Sequence, residues 1–338
     1  MNVRALYRIA KNIYHTRTTT SFEKSLTTPL PRRIQIEPTV RCNLHCITCT
    51  RDSVIDSYKK MDMTLEDIDK ILMLFPDLQA IKFQGLGEPL LTKNIQTILK
   101  KFEKKNVRLS TISNGTIFHK ERYRQLLLDY FRVVRVSIDS TSAALFSKLR
   151  VGANLEHVLS GLRILAQERD RQKKTLSIGI NFVVSHENYH EVTNLYDIAV
   201  DNGIDFVGIP TVENWTIPDE DGFEHFSGYV AATQRHTREI TTAVQALKMR
   251  LRRKGILVSY SGLSNRIGHC YWPFKSLFIS VEGYITPCCI RMHRTHAMGN
   301  IFEVSSLEEL WNGPRYRALR EAHLAEDLSN PMCGRCPR

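Results

Sequence analysis

The chain has 338 residues, 42% hydrophobic and 24% charged, which suits a globular protein with one large domain and a smaller one. No apolar run reaches the roughly 20 residues that span a bilayer, and the basic N-terminus lacks the apolar core and cleavage site of a signal peptide, so a cytoplasmic location is expected. The net charge of +12 marks either a solvated basic surface or a basic rim for an anionic substrate, and it comes with no clear nucleic-acid or membrane motif.

Residues 1–33 read as a basic lead-in, irregular or helical. Leu6, Ile9 and Ile13 recur at helical spacing, a stripe better explained by packing on the main domain than by binding to a membrane surface. From residue 33, short apolar strands alternate with longer amphipathic stretches. Strands are predicted at Arg33–Glu37, Ala80–Gln84, Val107–Ile112, Val133–Ile138, Leu176–Val184 and Asp205–Ile209, with helices near 64–75, 93–105, 119–130, 154–170 and 189–202. Thr64, with Asp67 three residues on, reads as an N-cap and its first-turn acid. This repeated alternation predicts an α/β fold with a parallel sheet, open or curled into a partial (β/α)6 barrel. In such folds the chemistry gathers at the C-terminal ends of the strands.

After Pro210 the pattern changes. Residues 214–225 are acidic and turn-rich, and 226–255 read as one long basic helix. From about 266 come a short strand at Leu277–Val281, a turn at Gly283 and a closing helix near 306–325. The expected division is a lead-in over 1–33, the barrel over 34–212, a linker and long helix over 213–265, and a small C-terminal domain over 266–338.

The eight cysteines are clustered, three between residues 42 and 49 and five between 270 and 336. Such spacing points to metal or redox chemistry rather than disulfides. Cys42, Cys46 and Cys49 follow the first strand directly, on a loop at its C-terminal end. An iron–sulfur cubane wants four ligands, so three thiolates leave one iron open, as a catalytic metal requires. A zinc loop is the plain alternative.

The spacing Cys-x3-Cys-x2-Cys after a first strand resembles the signature of the radical S-adenosylmethionine superfamily. There the open iron is chelated by the amino and carboxylate groups of the methionine moiety. The chain departs from the pattern at Thr48, where the family usually has an aromatic residue. Phe83-Gln84-Gly85-Leu86-Gly87-Glu88-Pro89 resembles the family's Gly-Gly-Glu-Pro segment, with Leu86 in place of the first glycine. By that resemblance Gly87, Glu88 and Pro89 face the cofactor: Gly87 lets backbone approach a ligand, and Glu88 accepts from the methionine ammonium. Ser113 and Asn114 after the third strand, and Ser137 and Asp139 after the fourth, resemble positions that hydrogen-bond the ribose or methionine groups. They are also ordinary turn formers. Arg150 matches the arginine that relatives set against the methionine carboxylate, although Lys148–Arg150 also reads as a solvated helix end. Asn181 and Val207–Pro210 are further cofactor-facing positions.

The C-terminal cysteines resemble the superfamily's auxiliary-cluster modules, called SPASM and, in shortened form, twitch. Five cysteines are too few for two more cubanes. One auxiliary 4Fe–4S cluster on Cys270, Cys288, Cys333 and Cys336 is the better count, with Cys289 left over. The adjacent Cys288 and Cys289 can exchange roles, the distance from Gly283 favouring Cys288, and tetrahedral zinc suits the same four thiols. The resemblance covers roughly residues 34–210 and 268–338.

What it implies is a radical enzyme. A reduced 4Fe–4S cluster, fed by a donor such as flavodoxin or ferredoxin, cleaves S-adenosylmethionine to a 5′-deoxyadenosyl radical that takes a hydrogen atom from substrate. The expected outcome is oxidation (dehydrogenation) of a small polar or anionic metabolite, such as a sugar, aminocyclitol or nucleotide-linked compound. The alternative is a maturase that modifies or cross-links a ribosomally made precursor peptide. The short lead-in is too small for the usual peptide-recognition domain, which a separate partner protein would then supply. A non-catalytic metal-binding protein is the third reading. No catalytic acid or base is assigned.

Overall fold

Parallel strands cannot be joined by tight turns, and the amphipathic stretches supply the crossovers. The computed structural model describes residues 24–216, 223–262, 270–327, 329–330 and 332–333. The six expected strands are β1 (Arg33–Ile36), β2 (Ala80–Phe83), β3 (Arg108–Ser113), β4 (Phe131–Ser137), β5 (Ser177–Asn181) and β6 (Phe206–Pro210). They pair in that order and all in parallel, as a partial barrel requires. Between them run α1 (Leu65–Leu74), α2 (Ile95–Lys104), α3 (Glu121–Tyr130), α4 (Ala143–Leu149), α5 (Leu155–Arg171) and α6 (Leu195–Asp201). Of these, α4 is absent from the sequence-based set, being too short to show a helical period.

The helices cover the outer face of the sheet. Thr64 and Asp67 close a full capping box on α1, which buries Ile68, Ile71 and Leu74. Phe83 meets Phe102 of α2 and Phe131 of β4 edge-on, at 5.8 and 5.9 Å. Fully burying such a side chain contributes roughly 1.5–3 kcal/mol. Because strand side chains alternate, Lys82 and its neighbours in register turn to the other face, the barrel lumen.

Three stretches differ from the sequence reading. The sheet does not end at β6: β7 (Leu257–Ser261) pairs parallel to it, within the expected linker. Its residues are all half-buried or exposed, so it carries little alternation to read. The long basic helix is two, α7 (Phe223–Gln234) and α8 (Thr237–Arg252), of which α8 buries Ile240, Val244, Leu247 and Leu251. The closing helix is also two, Leu307–Trp311 and α9 (Pro314–Leu324), because Pro314 cannot continue a helix but suits the first turn of one.

The C-terminal module is built onto the barrel's own sheet. Its first strand, β8 (Phe278–Ile279), pairs parallel to β1, and β9 (Tyr284–Thr286) and β10 (Gly299–Asn300) follow antiparallel. Residues 24–32 of the lead-in lie against this module. The Trp311 indole donates to the Pro29 carbonyl, and Arg320 donates to the carbonyls of Leu26 and Pro273. Leu6, Ile9 and Ile13 lie outside the described residues. Among the described residues, no helix is long and apolar enough to cross a membrane.

Candidate cluster and cofactor site

The cysteine loop leaves the top of β1 and is tied down at its root. The Thr39 hydroxyl donates to the Met61 carbonyl and the Asp62 carboxylate, which also accepts from Arg41 Nε at 2.6 Å. Arg51 Nε donates to the Val40 carbonyl at 2.7 Å. Further along, His45–Cys46 pairs as a short antiparallel ribbon with Arg150–Val151, and the Ile47 N–H donates to the Leu149 carbonyl. The loop is thus held against the end of α4.

Cys42, Cys46 and Cys49 are half-buried. Burial pushes each thiol pKa up, Cys49 to about 12, and negative charge on neighbouring groups adds to it. Such thiols resist ionising alone, and a bound metal is what deprotonates them. Asn114 Nδ2 and Arg150 Nη1 stand 3.9 Å from the sulfurs of Cys42 and Cys46. Among the described residues, no three His, Cys, Asp or Glu side chains close around a single ion. Cys42 adds to the rise at Cys46, and both add to it at Cys49; such a group fits a cluster that takes one thiolate per iron.

Glu88 lies directly under this loop and is buried. Its own N–H donates to the Arg41 carbonyl at 2.7 Å. Its carboxylate accepts the Asn114 N–H at 2.7 Å and the Leu90 N–H at 3.3 Å. Burial raises its pKa to about 7, against the opposing pull of the Asn114 N–H, the Ser113 hydroxyl, the Leu90 N–H and Arg150. A carboxylate offers about four acceptor sites, so capacity remains for the ammonium the resemblance implies. Pro89 is buried in the short turn that follows. At Gly87 a Cβ would stand 2.4 Å from the Thr39 carbonyl oxygen and 2.7 Å from that of Arg41. The bare glycine lets this segment pass under the cysteine loop's own backbone.

Asp139 and Arg150 form a buried fork, with Nε and Nη2 of Arg150 at 2.7 and 2.6 Å from one carboxylate oxygen. The other oxygen accepts the Val183 N–H. Burial opposes the charge on Arg150, but Asp139 and Cys46 outweigh it and raise its pKa. The solvated helix-end reading fits Lys148, which is exposed and pairs with Glu187, and not Arg150. The Asn114 side chain donates to Asn43 and accepts from Thr116, and the Ser113 hydroxyl accepts the Gly115 N–H. Ser137 is buried at the end of β4, in register with half-buried Asn181.

Two features of the site were not singled out from sequence. Glu37, the residue after β1, accepts the Leu86 N–H at 2.8 Å and the Val281 N–H at 3.3 Å, joining the cysteine-loop root, the Gly85–Glu88 segment and the C-terminal module. An acid closing an apolar strand was the available signal. The second is a narrow, open cleft walled by both modules. Thr50, Tyr58 and Leu86 line it beside the cysteine loop, Trp215 reaches it from beyond β6, and Tyr284 and Arg294 come from the C-terminal module.

In that module Cys270, Cys288 and Cys333 are half-buried, and Cys289 is buried. Burial and then Cys289, Cys333 and Cys270 raise the Cys288 pKa, so the structure brings these four thiols together. Arg291 Nε donates to the Met332 carbonyl and draws the two segments onto each other. Cys336 lies outside the described residues.

Comparison with known proteins agrees with this geometry. The radical SAM superfamily model matches residues 36–199, and the iron–sulfur cluster-binding SPASM model matches residues 270–337. The chain is 24% identical, over 90% of its length and 86% of the relative's, to the tungsten-containing aldehyde ferredoxin oxidoreductase cofactor-modifying protein of Pyrococcus furiosus. Its fold is similar to Streptococcus suis SuiB bound to the precursor peptide SuiA, with a TM-score of 0.66 and 17% identity, covering 93% of this chain and 70% of that one. It is also similar to anSMEcpe bound to S-adenosylmethionine and the Cp18Cys peptide, with a TM-score of 0.67 and 17% identity, covering 90% of this chain and 88% of that one.

Proposed function

Because the chain belongs to the radical SAM superfamily and carries an iron–sulfur cluster-binding SPASM domain, we propose that it is a maturase that modifies or cross-links a peptide. The observation that carries this reading is the cleft walled by both modules, beside the cysteine loop and lined by Tyr58, Trp215 and Tyr284. Those rings, beside Glu282, His293 and Arg294, suit a chain segment with both apolar and polar side chains, and the peptides held by SuiB and anSMEcpe, in similar folds, support it. The metabolite oxidation expected from sequence has weaker support.

In this reading Cys42, Cys46 and Cys49 hold the catalytic 4Fe–4S cluster, and Cys270, Cys288, Cys333 and Cys336 hold an auxiliary one. When bound, the first cluster and S-adenosylmethionine supply the 5′-deoxyadenosyl radical that takes a hydrogen atom from substrate. Asn114 and Arg150 orient Cys42 and Cys46, while Glu88 offers its remaining acceptor site to the methionine ammonium. Trp215 and Leu86 line the cleft beside the cysteine loop.

Deuterium transfer tests the substrate class. Reconstituted, reduced enzyme is given S-adenosylmethionine and extracts of host cells grown in heavy water. Deuterium in 5′-deoxyadenosine, lost when the extract is first treated with protease, is the expected result. Transfer that survives protease and passes a small-molecule filter would return the metabolite reading to first place.

A further inference from the structure

The inner face of the barrel is cationic, and no function described above uses it. None of the seven parallel strands β1 to β7 contains an Asp or Glu. Arg33 and Lys82 stand on the same side of β1 and β2 as Arg108 and Arg135 do on β3 and β4, by strand alternation and register. That side is the lumen, since Phe83 and Val136, one residue along from Lys82 and Arg135, meet α2 and the Gly115 turn beside α5.

Arg135 is the informative member. It is half-buried in the middle of β4, and burial alone lowers its pKa, with no charged neighbour contributing. No ion pair among the described residues includes it. Its guanidinium sits 5.2 Å from the Phe206 ring centroid, in register across Gly179, where a Cβ would strike that ring at 2.2 Å. The bare glycine makes room for the Phe206 ring beside the guanidinium on the lumen side. A charge taken from water without a partner is costly, and guanidinium edges match carboxylates and phosphates. The carboxylates at the top of the barrel offer no relief: Glu37 and Glu88 accept backbone N–H groups, and Asp139 is forked to Arg150.

We propose that Arg135, in the cationic lumen, binds an anionic group of the substrate. The inference rests on the lumen and cleft being the substrate chamber, and on the peptide reading it takes an acidic side chain; a phosphate would present the same chemistry. It gives the chain's net charge of +12 one specific location.

Calorimetric titration of reconstituted, S-adenosylmethionine-loaded protein at low salt tests it. The probes are an acetylated, amidated hexaglutamate peptide, its hexaglutamine counterpart and inorganic pyrophosphate. Hexaglutamate should bind and hexaglutamine should not. Arg135→Gln should weaken hexaglutamate about tenfold or more, Arg135→Lys should weaken it less, and Lys100→Gln on the exposed face of α2 should leave it unchanged. Pyrophosphate binding with the same variant pattern, without hexaglutamate binding, would keep the anion site and remove the peptide reading. If neither anion binds, if Lys100→Gln weakens binding as much as Arg135→Gln, or if Arg135→Gln weakens S-adenosylmethionine instead, the assignment fails.

Discussion

Glu37→Gln tests how the two modules are held in register. The carboxyl is fully buried, and burial lifts its pKa from 4.5 to about 7, with Glu282 adding a little and the Leu86 and Val281 N–H groups opposing. Between those two pH values the folded protein holds a proton that the unfolded chain has released. Stability from this group is therefore full below the unfolded pKa and is lost as pH rises through about 7. The rise from 4.5 to about 7, at about 1.4 kcal/mol per pH unit, comes to about 3.5 kcal/mol. Glutamine has no proton to release, so its stability lacks this slope. Its amide nitrogen cannot accept, however, and one N–H, that of Val281 at the longer distance, would be left without a partner for about 1–3 kcal/mol. The variant should melt below wild type at pH 5, where most of this stabilisation remains, and the gap should narrow through pH 7 and close by pH 8.5. Thermal midpoints of reconstituted protein, at one scan rate and under argon, measure it. A gap that stays constant or widens toward high pH would refute a buried, proton-binding Glu37.

Anaerobic reconstitution should give about eight irons per chain, and about four once Cys42, Cys46 and Cys49 are all alanine. Four irons with one tightly held zinc in the wild type would instead make the C-terminal thiols a zinc site. Asp139→Asn removes the counter-charge of buried Arg150, at about 3–5 kcal/mol. Because Arg150 pairs with Cys46 in the ribbon, the variant should lose iron to a chelator faster than wild type, and equal rates would sever that link.

What the sequence made legible is what lies close together along it. The three cysteines, the Gly87–Pro89 segment and the strand–helix alternation each fit within a dozen residues. The contacts that organise them do not. Glu37 meets Val281 across 244 positions and Arg150 meets Cys46 across 104, and no local pattern announces either. The missing Cβ of Gly87 makes room for the Thr39 and Arg41 carbonyls, which only folding brings there. The strand β7 went unseen because an edge strand half in water needs no apolar alternation.

The two kinds of charge in the barrel divide the work. The carboxylates at its top, Glu37, Glu88 and Asp139, are buried and already accept backbone N–H groups or an arginine. Groups so engaged position loops, and they are poorly placed to take protons from a substrate. The thiols beside them are held out of ionisation by burial until a metal takes the charge. The cations lie below, on the inner face, where no strand acid competes for a ligand. An anionic group drawn to Arg135 would enter past the cysteine loop. The rest of the same substrate would then lie at the height of Ser137 and Asn181, the strand ends where hydrogen abstraction would occur.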